Sequence, residues 1–132
     1  MAKIVIIEDN PENARLAARL LRKAGHDVFL ADEGETGLMA VLDHEPDLVL
    51  IDLGLPDMDG QTVVALIKQQ GHLSSIPILA FTAYPEEKAR EMAEAYGCEG
   101  VITKPINTRQ FAIQVNDYLT GSLDALGKIS PV

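Results

Sequence analysis

Short runs of valine, isoleucine and leucine alternate along the chain with longer stretches in which apolar residues recur every three or four positions. Parallel strands buried on both faces give the first pattern, and the helices that cover them give the second. Five strand and helix pairs can be read in this way. The first strand spans Lys3 to Ile7, too continuously apolar for a half-exposed antiparallel strand. Asn10 is placed to cap the helix that follows, and Pro11 takes its first position, where a missing N–H costs nothing. That helix runs to Gly25, with Ala14, Ala17, Leu20, Leu21 and Ala24 on one side.

The second strand covers Asp27 to Ala31 and precedes a helix from about Gly34 to His44. The third, Asp47 to Asp52, contains Leu48-Val49-Leu50-Ile51 and is the most buried in character. Gly54-Leu55-Pro56-Asp57-Met58-Asp59-Gly60 is dense in turn formers, so the chain reverses there before a helix from about Gln61 to Gln70. A fourth strand, Ile76 to Thr82, leads to a helix that Pro85 starts and Gly97 stops. The short fifth strand, Gly100 to Thr103, is followed by Lys104-Pro105 and a helix from about Thr108 to Leu119. Gly121 ends it, dividing the chain into a domain at residues 1–121 and a tail at 122–132. The expected fold is α/β, a doubly wound parallel sheet of five strands, in which ligands bind beyond the carboxyl ends of the strands.

Composition narrows the function classes. With 132 residues, 47% hydrophobic and 23% charged, the chain is the size of one domain that needs no disulfide or structural metal. The single Cys98 cannot form an internal bridge and fits a reducing compartment. A net charge of -9 repels a phosphate backbone, which argues against direct nucleic-acid binding. No apolar run approaches the roughly 20 residues of a membrane helix, and Met1-Ala2-Lys3 does not open a signal peptide. A cytoplasmic protein is expected.

The strand ends carry the candidate chemistry. Strands one, three, four and five close on Glu8-Asp9, Asp52, Thr82 and Lys104. Polar residues are ordinary where strands meet water, and any one of these alone reads that way. In a parallel sheet, however, all of them project toward one rim, and converging carboxylates repel one another unless a cation joins them. Oxygen ligands suit a hard divalent ion, Mg2+ above softer metals.

These residues resemble the response-regulator receiver domain of the CheY type, over about residues 3 to 119. The resemblance rests on the acidic pair Glu8-Asp9, on Asp52 followed by Leu55-Pro56-Asp57-Met58-Asp59-Gly60, on Thr82-Ala83, and on Lys104-Pro105. It implies a flavodoxin-like (βα)5 fold with strand order 2-1-3-4-5. Asp52 then matches the phosphoacceptor, Asp9 a direct Mg2+ ligand, Glu8 a ligand mostly through water, and the Gly54 carbonyl a further metal oxygen. Thr82, Ala83 and Lys104 match the groups that contact the phosphoryl oxygens, and a cis Lys104-Pro105 bond would aim the lysine inward. The implied partners are a sensor histidine kinase or histidine phosphotransfer protein and an unidentified downstream protein, with a homodimer left open. The implied chemistry is limited to the chain's own phosphorylation and dephosphorylation, so it is not expected to be an enzyme in the ordinary sense.

One position departs from the family. Many receivers carry Tyr or Phe three residues before the lysine, and here it is Val101. Tyr84 is a candidate substitute, set against a plain surface role. Asp57 and Asp59 are read as turn formers, Cys98 as a small filler, and His26, His44 and His72 as solvated. The alternatives weighed are a fragment of a longer regulator or hybrid kinase cut after Ser122, and an aspartyl-nucleophile phosphatase. The latter wants a second acid where Gly54 stands. A flavodoxin-like FMN carrier would want a Ser/Thr/Gly-rich phosphate loop after strand one, and Glu8-Asp9-Asn10-Pro11-Glu12 is the wrong charge for that.

Overall fold

The computed structural model describes residues 2–120, so the expected tail at 122–132 lies outside the described residues. Strands β1 (Lys3–Ile7), β2 (Asp27–Ala31), β3 (Leu48–Ile51), β4 (Ile78–Thr82) and β5 (Gly100–Thr103) alternate with helices α1 (Pro11–Lys23), α2 (Gly34–His44), α3 (Gly60–Lys68), α4 (Glu86–Tyr96) and α5 (Phe111–Thr120). All strand pairs are parallel, in the order β2-β1-β3-β4-β5. β3 is therefore central, with β1 and β4 on its two sides. In register, Ile7 pairs with Ile51 and Ile51 with Ala80, so β1, β3 and β4 end close together.

The continuous apolar strands bury both faces, and the core is split by the sheet. Ile4, Ile6, Leu48, Leu50, Leu79 and Phe81 pack on one side against Ala17, Ala18 and Leu21 of α1 and Phe111 and Val115 of α5. Val5, Ile7, Val49, Ile51 and Ile78 pack on the other side against Val41 of α2 and Val63, Val64 and Ile67 of α3. Each fully buried aliphatic or phenyl side chain contributes about 1.5–3 kcal/mol relative to exposure. The core thus fixes the strands whose ends carry the polar residues.

Local chemistry sets the boundaries. Asn10 accepts from the N–H groups of Glu12 and Asn13, both at 3.0 Å, and Pro11 opens α1. Gly97, in the left-handed region at φ +85°, ends α4, a conformation that costs glycine least. β4 begins at Ile78 and not at Ile76, because Pro77 has no N–H to donate and the Ile76 N–H turns back to Leu73. A single 3-10 turn, Gly71–Leu73, occupies the preceding loop, and no hydrophobic period announces it. α5 begins at Phe111, after Asn107 has accepted from the N–H groups of Arg109 and Gln110.

The histidines correct the expectation that all are simply solvated. His44 stacks on Phe29 with ring centroids 3.7 Å apart. His26 accepts from the Ala2 N–H at 3.2 Å and lies 2.7 Å from Asn116 Oδ1, joining the residue ahead of β1 to α5. His72 is exposed, and it pairs with Glu45 at 2.9 Å. Each ring completes a local contact that links elements far apart in sequence. Cys98 is half-buried among apolar side chains, and burial pushes its thiol up to about 12.

Candidate functional site

Ladder hydrogen bonds continue one residue past the strands and hold the polar side chains at the carboxyl rim. Glu8 N–H donates to Ala31, Asp52 N–H to Ile7, and Lys104 N–H to Thr82, at 2.9, 2.9 and 2.8 Å. Glu8, Asp9 and Asp52 thereby bring carboxylate oxygens within 4.8 Å of one another. Glu8 is buried, Asp52 half-buried and Asp9 exposed. The site is closed on one side and open on the other.

Lys104 enters from β5 across the top of β4. Its Nζ lies 3.1 Å from Asp52 Oδ2 and also pairs with Glu8. The Lys104-Pro105 bond is cis. Phe81 lies beneath the ammonium, 4.8 Å from Nζ to the ring centroid, and places a π face under the charge. Sequence reading missed this residue, since a phenylalanine at the end of a buried strand looks like core alone.

The carboxylates are not equivalent. Burial, and then the neighbouring Asp52, push Glu8 up to about 7 against the opposing pull of Lys104 and the Asn10 N–H. Burial also works to raise Asp52, but its hydrogen bond with Glu8, the Gly54 N–H at 2.8 Å and the Lys104 charge hold it below the usual carboxylate range. Burial works to lower Lys104, and the two carboxylates outweigh it and raise the ammonium's pKa. One anionic carboxylate, one carboxyl titrating near neutrality and one cation therefore share the buried part of the site.

Thr82 is buried at the end of β4, and its Oγ1 accepts from the Tyr84 N–H at 3.2 Å. Together with Asp52, Gly54, Ala83, Tyr84, Pro85 and Lys104 it lines an open cleft of about 400 Å³. The expected site residues thus fall in one place, with Glu8 and Asp9 at its edge.

Two acids of the turn lie elsewhere. Asp57 accepts from the N–H groups of Gly34 and Glu35, at 2.7 and 3.1 Å, and so caps α2 from a distant loop. Asp59 accepts from Gln61 N–H and caps α3. Val101 is half-buried against Leu53, Ala80 and Ala93.

The donor set tests the fit of a metal. Three carboxylates converge, and one of them is raised by burial beside a second, which is the electrostatic condition that a hard divalent cation relieves. The residues present fit such an ion.

The fold and site together define a doubly wound five-stranded parallel sheet in the order β2-β1-β3-β4-β5, with an acid cluster, a hydroxyl and a lysine at its carboxyl rim. The profile of the response regulator receiver domain family matches residues 4–116, and the chain belongs to that family, the receiver domains of two-component systems. It is 33% identical over 116 residues to the polar-differentiation response regulator DivK of Brucella anthropi, which covers 88% of this chain and 94% of that protein. DivK of Brucella ovis matches with the same identity and coverage. Among solved structures, a putative response regulator from Chloroflexus aurantiacus superposes with a TM-score of 0.84 at 27% identity, over 90% of this chain and 98% of that one. The chemotaxis regulator CheY4 of Vibrio cholerae shares the fold, with a TM-score of 0.83 at 24% identity over 89% of this chain and 98% of its own.

Proposed function

We propose that the chain accepts a phosphoryl group on Asp52 from the phosphohistidine of a sensor histidine kinase or histidine phosphotransfer protein, and thereby changes its affinity for a downstream protein. The observation that carries this reading is the Asp52 carboxylate, held anionic in an open cleft 3.1 Å from the Lys104 ammonium. An anionic nucleophile needs no general base. A carboxylate oxygen of Asp52 bonds to phosphorus as the bond from phosphorus to the donor imidazole nitrogen breaks, and the electron pair of that bond stays on the nitrogen of an imidazole that leaves neutral because its other ring nitrogen carries a proton.

The chain's own groups supply positioning and charge. Lys104, the Thr82 hydroxyl and the Ala83 N–H are the donors for the transferred oxygens, and all three residues line the same cleft. Glu8, Asp9 and Asp52, with the Gly54 carbonyl, are the groups that would hold Mg2+. When bound, the ion offsets the negative charge that Asp52 and the incoming phosphoryl group share. Turnover is confined to the chain's own phosphorylation and to hydrolysis of the resulting aspartyl phosphate, so it acts as a switch and not as an enzyme on other substrates. No helix among the described residues is long and apolar enough to cross a membrane, and the net charge of -9 favours protein partners over nucleic acid.

Intact mass after incubation with acetyl phosphate and Mg2+ tests the assignment. Wild type should gain one phosphoryl group and Asp52→Asn none. Equal labelling of both would remove Asp52 from the role.

A further inference from the structure

Helix α2 carries a solvent-facing stripe that the fold does not use. Its sequence holds the uninterrupted apolar run Leu38-Met39-Ala40-Val41-Leu42, yet Val41 alone in that run is fully buried. Met39 is 57% exposed and Leu42 41%. At about 100° per residue, Glu35, Met39, Leu42 and Asp43 fall within roughly 100° of the helix circumference, and all four are exposed. Two apolar side chains about one turn apart are thus bracketed by carboxylates, with the exposed Asp32 and Glu33 just ahead of the helix.

Acidic residues predominate around the stripe, and the cations that reach α2 lie at its two ends, Arg15 beside Asp32 and Thr36 and the Lys3 Nζ 3.4 Å from the His44 carbonyl. Between Lys23 and Lys68 the chain has no lysine or arginine, while ten carboxylate residues fall in that interval. The one ring in α2 that could carry positive charge, His44, is stacked on Phe29.

We propose that α2 docks a basic amphipathic helix of a partner protein, its apolar residues over Met39 and Leu42 and its arginine or lysine side chains against Glu35, Asp43, Asp32 and Glu33. Helix on helix packing needs an apolar seam with matched charges at its margins, and this face has both. Methionine, unbranched and polarisable, adapts to the shape of what it meets. A two-fold contact between two copies would set this acidic margin against itself, so the charge favours a basic partner over self-association.

The test uses the full chain and a synthetic helical peptide with a leucine stripe flanked by arginines. Its controls are a peptide with glutamates for the arginines and one of the same composition with the stripe scrambled. Amide chemical shifts should move across Glu35 to His44 with the first peptide and with neither control. Met39→Glu with Leu42→Glu should weaken binding roughly tenfold or more, whereas Ile113→Glu, at the exposed isoleucine of α5, should bind as wild type. Both altered residues are exposed, so far-UV circular dichroism should be unchanged. The proposal is overturned if the peptide does not bind, if its shifts map to other elements, if the scrambled peptide binds equally, or if the double variant binds as wild type. Concentration-dependent shifts at the same amides in the chain alone would assign the face to a second copy. Nuclear Overhauser contacts between the Met39 methyl and residues after 120 would assign it to the chain's own end. Either result also overturns the proposal.

Discussion

The Lys104 ammonium reaches across β4 to lie 3.1 Å from Asp52 Oδ2, although β4 separates β5 from β3 in the sheet. The reach is possible because Lys104 extends one residue beyond its strand, held by its N–H bond to Thr82. A side chain from the edge strand thus neutralises a carboxylate at the centre.

Removing that charge should be visible at the carboxylate itself. In Lys104→Met the Asp52 carboxyl should titrate at higher pH than in wild type, since burial would then act with less opposition. Carbon-13 NMR of labelled aspartate side chains reads this directly. An unchanged Asp52 titration would mean that the Gly54 N–H and Glu8, and not the lysine, hold it down.

Metal binding should discriminate between acids that are near neighbours in sequence. Asp9 contributes an oxygen to the cluster with Glu8 and Asp52, whereas Asp57 spends its carboxylate on the amides of Gly34 and Glu35. Asp9→Ala should weaken Mg2+ binding by about tenfold or more, and Asp57→Ala should leave it near wild type. Calorimetric titration of both variants checks the contrast, and the reverse order would dismantle the proposed ligand set.

Asp57 should instead govern stability, and in a pH-dependent way. The N–H groups of Gly34 and Glu35 hold its carboxyl below the usual range, so the native state favours the ionised form. A depressed acid contributes stability that is full above its unfolded value and is lost as pH falls through its native value. The melting temperature of wild type should therefore exceed that of Asp57→Asn by a few degrees at neutral pH and converge with it in acid. A constant gap would show that the cap does not depend on the charge.

Much of this was legible before any coordinate. Alternating apolar runs and helical periods fixed the order of the elements, and the strand-end residues Glu8, Asp9, Asp52, Thr82 and Lys104 marked one rim of the sheet, because a parallel topology sends all carboxyl ends the same way. Features set by contact between distant segments were not legible. Asp57 reads as a turn former until the fold brings α2 within 2.7 Å of it, and Phe81 reads as core until Lys104 crosses above it. Boundaries slipped where a single residue overrode the pattern. Pro77 delayed β4, and residues 108–110 form a turn ahead of α5.

The last expectation concerns how a change at Asp52 leaves the site. Val101 has one rotatable side-chain angle and packs against Leu53, Ala80 and Ala93, so it cannot carry the large ring movement that an aromatic residue would. Thr82 is differently placed. Its Oγ1 accepts from the Tyr84 N–H, so a rotation of the side chain that carries Oγ1 toward a phosphoryl oxygen would lengthen that bond and loosen the loop behind it. Tyr84, exposed and with the Lys88 ammonium 5.6 Å from its ring, sits where that loop meets α4. A receiver signals by a difference in free energy between two arrangements of such an element. Adding beryllofluoride, a stand-in for the phosphoryl group on Asp52, should therefore change amide exchange across Ala83 to Glu87 more than around Val101. If protection changed at Val101 while Ala83 to Glu87 kept its exchange rates, the loop would be a passive wall of the cleft, and the signal would leave through β5.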